Sequence, residues 1–416
     1  MNYASPHLAA SIQAAASRSD ADSRLLSTIR ESRILVVDDQ RIVRELLKVY
    51  LNAGGYKNLL FAEDGAQALE LIAAEEPDLM ILDLQMPRMN GYEVCEAVRN
   101  DPKYAGLPVL VQTAADSPED RARVFKSGAT DMVGKPINDA ELLARVGIHL
   151  QNLHMLRQLS IYRSSMEREL EAARRMQHGI MPGDDKIAVL EQQYGIEIRN
   201  LFQTCDALGG DMWNVWRIDD RHMGFTNIDF TGHGVVASLN TFRFQSLTLT
   251  DDLDPLDLKN YSERLNRRLH ALLQVGQFAT AIGGFIDFEE NVIRYVAAGG
   301  PRPFLLLPGE DRGSFIASDG RPLGMTPDAT YPIHEVPFPP GSMLFMYSDA
   351  LTETPSMANP VCTEDRIAEI LAARPDDGSH PFDRLVEDFF SRLKDPLKDD
   401  LTMVMLRRPP TEGGMR

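Results

Sequence analysis

Cysteine is scarce in this chain of 416 residues: Cys95, Cys205 and Cys362 stand far apart and form no paired spacing. That excludes a disulfide framework or a cysteine zinc site as the organising device, and a reducing compartment is expected. Long apolar runs are missing as well. None approaches the roughly 18 residues of a membrane-spanning helix, and the chain does not open on a basic stretch followed by an apolar core. A cytoplasmic protein with no membrane partner is therefore expected. Basic residues are outnumbered, 43 Lys and Arg against 61 Asp and Glu, for a formal net charge of −18. Phosphate backbones are bound through cationic excess, so no nucleic-acid partner is expected and part of the acid excess is free to hold cations. Finally, neither proline nor glycine occurs between Gly147 and Gly179. The segment Asp139–Pro182 thus reads as one long helix, which at about 1.5 Å per residue is too long for a single small domain.

What is present is an ordinary globular composition, 44% hydrophobic and 25% charged, in a length that suits two domains and a connector. Residues 1–32 are rich in Ala and Ser and read as a disordered or frayed tail. From Arg33 a short apolar run repeatedly gives way to a helical period. Arg33–Val37 precedes Ile42–Leu51, Asn58–Ala62 precedes Gly65–Ala74, and Leu79–Leu82 precedes Gly91–Arg99. Val109–Gln112 then precedes Pro118–Ser127, and Asp131–Gly134 precedes the long helix. Five such repeats predict a doubly wound α/β domain with a five-stranded parallel sheet over residues 33–139.

In such a sheet, ligands collect at the carboxyl ends of the strands. Asp38 and Asp39 end the first strand and Asp83 the third, with Thr113 after the fourth and Lys135 after the fifth. Clustered carboxylates repel unless a cation lies among them, and hard oxygen donors suit magnesium. An Asp beside that ion, with a hydroxyl and an ammonium nearby, is equipped to accept a phosphoryl group. Asp38-Asp39, the run from Asp83 to Gly91, Thr113-Ala114 and Lys135-Pro136 resemble the receiver domain of two-component response regulators. The resemblance implies Asp83 as phosphoacceptor and Asp38, Asp39, Asp83 and the Gln85 backbone as Mg2+ ligands. It implies Thr113 and Lys135 as phosphate contacts and a sensor histidine kinase as phosphodonor. Met132 stands where many receivers carry Tyr or Phe, and Lys135-Pro136 suggests a cis bond.

Residues 140–182 form the predicted helical linker. Leu143, Val146, Leu150 and Leu153 step by threes and fours, as do Leu159, Tyr162, Met166, Leu170, Ala173, Met176 and Ile180, with a register slip at Leu156. A narrow apolar stripe predicts a parallel coiled coil and hence a homodimer. The competing expectation is a helix packed on its own domains.

Residues 183–410 change character. Strand-like runs at 196–204, 211–217, 222–229, 279–288, 292–298, 303–307, 342–348 and 401–406 surround helical stretches at 235–249, 257–273, 365–373 and 381–393. Hairpin signals at Asp219-Asp220-Arg221 and Glu289-Glu290-Asn291 predict antiparallel sheets, hence an α+β sandwich. Acids sit at strand ends or beside glycine in Gly209-Gly210-Asp211, Asp229-Phe230-Thr231-Gly232, Ser348-Asp349 and Asp399-Asp400-Leu401-Thr402. An all-oxygen set suits Mg2+ or Mn2+ rather than zinc, and two such ions activate water for in-line attack on phosphorus. These motifs, in this order, resemble the SpoIIE-like, RsbU-like branch of metal-dependent Ser/Thr protein phosphatases with an α-β-β-α sandwich. The resemblance implies two Mn2+ or Mg2+ ions: Asp229 bridging both, Asp211 on one, Asp349 and Asp399 on the other, and the Phe230 backbone carbonyl as a further ligand. It also implies a phosphorylated anti-sigma factor antagonist as substrate. Asn214, Gly300 and Ala350 depart from that family's usual residues. The alternative expectation is a weak or inactive phosphatase fold serving as a phosphorylation-dependent adaptor for a sigma factor or antagonist.

Overall fold

The computed structural model describes residues 27–114, 117–250, 254–355, 360–373 and 378–410. It falls into two compact units, residues 1–165 and 166–416. The tail expected over residues 1–32 lies outside the described residues up to residue 26; residues 27–30 form a helical turn whose Ile29 is buried.

The first unit alternates strands and helices: β1 (Ile34–Val37), α1 (Arg41–Ala53), β2 (Leu59–Ala62), α2 (Gly65–Glu75), β3 (Leu79–Asp83) and α3 (Gly91–Asn100). It continues with β4 (Val109–Thr113), α4 (Pro118–Lys126), β5 (Asp131–Gly134) and the long α5 (Asp139–His178). The strands form a parallel sheet of order β2-β1-β3-β4-β5, the doubly wound domain expected. Strand β1 is buried at every position, as a central strand covered on both faces must be. Pairing of Val37 with Leu82 places the residues that follow β1 beside the end of β3. Helix α3 starts on a capping box in which Asn90 and Glu93 satisfy each other's backbone N–H groups. Gly91 is dictated by packing: a Cβ there would lie 2.3 Å from the Asp83 carbonyl oxygen.

The first turns of α5 belong to this unit. Leu142, Val146 and Leu150 are fully buried in its core. Arg145 and His149 hydrogen-bond Asp131, and His154 contacts Ser32 Oγ at 2.8 Å. Both histidines are thus partnered by residues distant in the chain. Beyond them the apolar face is bare: Leu156, Leu159, Ile161 and Tyr162 are each about two-thirds exposed, and Met176 likewise.

The second unit continues with α6 (Asp184–Tyr194), β6 (Glu197–Gln203), β7 (Asp211–Arg217), β8 (His222–Phe230), α7 (Val235–Thr250), α8 (Leu258–Leu272), β9 (Ala279–Asp287) and β10 (Val292–Ala298). There follow β11 (Phe304–Leu306), β12 (Ser314–Phe315), β13 (His334–Pro337), β14 (Met343–Tyr347), α9 (Ala350–Glu353), α10 (Glu364–Ala372), α11 (Pro381–Arg392) and β15 (Leu401–Arg407). Two antiparallel sheets, β13-β10-β9-β8-β7 and β12-β11-β14-β15-β6, pack face to face. Trp213, Phe225 and Ile286 of the first meet Leu344, Val404 and Leu406 of the second. Helices α7 and α8 cover the outer face of the first sheet, and α10 and α11 that of the second. This is the expected α-β-β-α sandwich. Helix α6 and strands β12 and β13 were not anticipated. The helix has a weakly patterned sequence, and its Ile187, Leu190 and Tyr194 become an apolar face only by packing on the sheets. Among the described residues no helix is long and apolar enough to cross a membrane.

The β8–β9 corner is tied by charge. Burial alone would raise the Asp287 carboxyl, but the Glu290 and Glu289 N–H groups and Arg221 outweigh it and hold the group at about 2. A folded pKa below the unfolded value contributes stability above about pH 4 that is lost as pH falls toward 2. Asp287→Asn is therefore expected to cost about 2 kcal/mol at pH 7. Denaturant melts should show that difference closing near pH 2; an equal loss at both pH values would contradict it.

Candidate functional site

In the first unit the parallel sheet brings the predicted residues together. Oxygens of Asp38, Asp39 and Asp83 all lie within 4.8 Å of one another. Lys135 Nζ stands 2.9 Å from Asp83 Oδ1 and 3.8 Å from Asp38 Oδ2. The Lys135-Pro136 bond is cis. Thr113, nearly buried, ends the adjacent strand, and the Gln85 N–H points at Asp83 Oδ1 from 3.4 Å. Burial pushes the Asp38 carboxyl above its ordinary range; the Gln40 N–H opposes this and the Asp83 charge adds to it. Asp38 Oδ2 is buried with no hydrogen-bond donor. A crowded carboxylate trio with one buried lone-pair face fits a hard divalent cation. Met132 packs, half-buried, against the core rather than presenting a ring.

The second site is built at the strand ends of both sheets. Strands β7 and β8 pair so that Asp211 lies directly opposite Asp229. Asp349 follows β14, and Asp399 precedes β15, its antiparallel neighbour. Their fields overlap. Burial first, then the charges of Asp349 and Asp399, push Asp229 up to about 7. Burial, Asp399 and Glu353 push Asp349 up to about 6, and burial and Asp229 lift Asp211 well above its ordinary range. Thr402 Oγ1 donates to Asp211 Oδ2 at 2.6 Å, while Asp211 Oδ1 is buried without a donor. Among the described residues, no three of these four acids bring their oxygens within 4.8 Å, in contrast to the receiver trio. The set is spread out rather than collapsed. Donors of this kind, mutually repelling and oxygen-only, fit divalent cations.

Two residues in this region take roles that the sequence reading did not assign them. Asp400, buried, accepts the Cys205 N–H at 2.9 Å and the Gly210 N–H at 2.6 Å, pinning the loop before Asp211. Gly209 is glycine because a Cβ would lie 2.5 Å from Asp400 Oδ2. Gln177, in the last turn of α5 and fully buried, grips the same loop. Its Nε2 donates to the Gly209 carbonyl at 2.7 Å and its Oε1 accepts the Gly209 N–H at 3.2 Å. No local sequence signal distinguishes a buried Gln from its exposed neighbours on a charged helix. His233, exposed, pairs with Asp206 at 2.5 Å.

The chain thus joins a parallel sheet with an acidic, lysine-capped pocket to a β-sandwich with acids at its strand ends. Comparison with known proteins makes this specific. Residues 34–147 match the family model of the response regulator receiver domain, and residues 219–409 that of Stage II sporulation protein E (SpoIIE). The chain therefore carries a receiver domain followed by a SpoIIE-type, PP2C-like phosphatase domain. The second match covers Asp229, Asp349 and Asp399, whereas Asp211 lies ahead of it. The response regulator MprA of Mycolicibacterium vanbaalenii is 47% identical over 114 residues, 27% of this chain and 48% of that protein. The chain thus spans about half the length of the curated relatives it matches. Among solved structures, the SiaA-PP2C domain of Pseudomonas aeruginosa aligns at 18% identity and TM-score 0.48, over 60% of this chain and 98% of that one. The RsbU and RsbW domains of Rv1364c from Mycobacterium tuberculosis align at 22% identity and TM-score 0.43, over 52% and 61%.

The neighbouring acids Asp399 and Asp400 should separate cleanly on mutation. Asp400→Asn sets an amide NH2 against a backbone N–H and is expected to cost about 1–3 kcal/mol in denaturant melts. Asp399, exposed, should tolerate Asn without loss of stability while divalent-cation affinity, read by calorimetry, falls. Equal melting of both variants would refute the division of roles.

Proposed function

We propose that this protein is a response regulator in which phosphorylation of Asp83 controls a divalent-metal-dependent phosphoserine/phosphothreonine protein phosphatase. In the receiver, Asp38, Asp39, Asp83 and the Gln85 backbone would hold Mg2+, with Lys135 and Thr113 neutralising the phosphoryl oxygens. A sensor histidine kinase is the phosphodonor this pocket calls for. In the phosphatase domain Asp211, Asp229, Asp349, Asp399 and the Phe230 carbonyl would hold two Mn2+ or Mg2+ ions. Such ions supply charge neutralisation and a lowered water pKa. The chain's own part is to hold the acids apart at rigid strand ends, so that their raised proton affinity is met by cations instead of protons.

The observation that carries the regulated reading is the two-way hydrogen bond between Gln177 and Gly209. Helix α5 starts in the receiver core and ends on the loop that positions Asp211. A shift of that helix is therefore a shift of a metal ligand, the kind of two-state element a phosphoryl switch requires. The bare apolar stripe along Leu156, Leu159, Tyr162 and Met166 favours pairing with a second copy, making a homodimer the second part of the proposal. A phosphorylated anti-sigma factor antagonist, in a cytoplasmic partner-switching pathway, is the substrate class this domain pairing suggests.

Full-length protein with Mn2+ should hydrolyse a phosphoserine protein substrate, and Asp229→Asn should lower turnover by about 100-fold or more. Beryllofluoride, mimicking phosphate on Asp83, should change the rate in the parent protein but not in Gln177→Ala. Metal-independent turnover would defeat the metal-dependent mechanism; no turnover under any condition would defeat the enzyme reading and leave the adaptor. For the linker, light scattering should give a dimer with beryllofluoride; a monomer in both states would remove the pairing mechanism.

A further inference from the structure

A cavity of about 300 Å³ opens between the β13-β10-β9-β8-β7 sheet and helices α7 and α8, sharing strands β7 and β8 with the acid cluster. Its walls are apolar and aromatic, lined by Phe244, Tyr261, Leu265 and Tyr331, with Trp216 half-buried at one side. The floor is kept open by Gly283, where an added Cβ would lie 3.3 Å from Thr226 Oγ1.

The polar groups of the lining are largely engaged within the protein. Thr226, Ser262 and Thr248 hydroxyls donate to backbone carbonyls, and the Tyr331 hydroxyl donates to Asn266 Oδ1. Asn214 Nδ2 donates to Gln245 Oε1. Lys186, reaching in from α6, is different. It is the one charged residue of the lining among the described residues, and its sole hydrogen bond is a long one, 3.3 Å to Asn214 Oδ1. No carboxylate among the described residues pairs with it. Lys186 keeps an exposed surface, and partial desolvation of its ammonium pulls its pKa below the ordinary value.

An apolar, aromatic-lined space of this size with a single convergent charge is how small-molecule sites are built. We propose that the cavity binds an amphipathic small molecule carrying one carboxylate, its apolar body between the sheet and α7–α8 and its head group on Lys186. A medium-length acyl carboxylate or an aromatic acid meets both requirements; a polyanion or a sugar meets neither, because the walls offer few free polar partners. The ion pair at the mouth is partly solvated and contributes modestly, so the apolar body supplies most of the affinity and the charge the selectivity.

The test is calorimetric titration of the full-length protein with decanoate and, separately, decanol. Saturable binding of one decanoate per chain is expected, with decanol about fivefold or more weaker. Lys186→Met should bring decanoate to the level of decanol without changing decanol. Gly283→Val, filling the floor, should remove both; a thermal melt checks its folding, and if it does not fold the Lys186→Met comparison decides. Absence of saturable decanoate binding, equal binding of the two ligands by the parent protein, or unchanged decanoate binding by Lys186→Met would each overturn the proposal. None of these readouts depends on phosphatase activity.

Discussion

Repulsion among gathered carboxylates is the constraint on which this molecule turns. Both sites collect acids at strand ends, where the backbone cannot relax to separate them, and leave a buried oxygen on Asp38 and on Asp211 without a donor. Such an arrangement is costly in an apolar interior unless cations or protons share it. The two sites spend that constraint differently. The receiver trio is tight and capped by Lys135, which suits one ion and an incoming phosphoryl group. The phosphatase set is spread over four strand ends from two sheets, which suits a wider cluster.

The surroundings of each site follow from holding these acids still. In the receiver, the strand order puts Asp38 beside Asp83, and a glycine at 91 lets α3 begin against the Asp83 carbonyl. In the phosphatase domain, Asp400 spends both carboxylate oxygens on the N–H groups of Cys205 and Gly210. Gln177 then closes on Gly209 from the end of α5. The loop before Asp211 is thus fastened from two directions, one of them a helix whose opening turns are buried among receiver residues.

Much of this was legible in the chain. Continuous apolar strands alternating with helical periods specified a parallel sheet, because only strands covered on both faces lack polar alternation. The acids at Asp38, Asp39 and Asp83, and at Asp211, Asp229, Asp349 and Asp399, stood out because glycine and strand ends flank them. Less legible were helix α6, whose apolar face exists only against the sheets, and the partnered state of His149 and His154, which depends on Asp131 and Ser32 arriving from elsewhere.

The sequence by itself determined which elements form, in which order, and which acids end their strands, since these follow from local periodicity, turn chemistry and spacing. Tertiary structure alone decided how near neighbours divide their work. Asp399 and Asp400 are adjacent in the chain, yet Asp399 is exposed with its charge acting on Asp229 and Asp349, whereas Asp400 is buried and spent on two backbone N–H groups. Gln177 became a clamp, and Lys186 the one charge lining an apolar cavity among the described residues, for a related reason. Burial and partnership are set by what folds against a residue from a distance, and no local pattern records that.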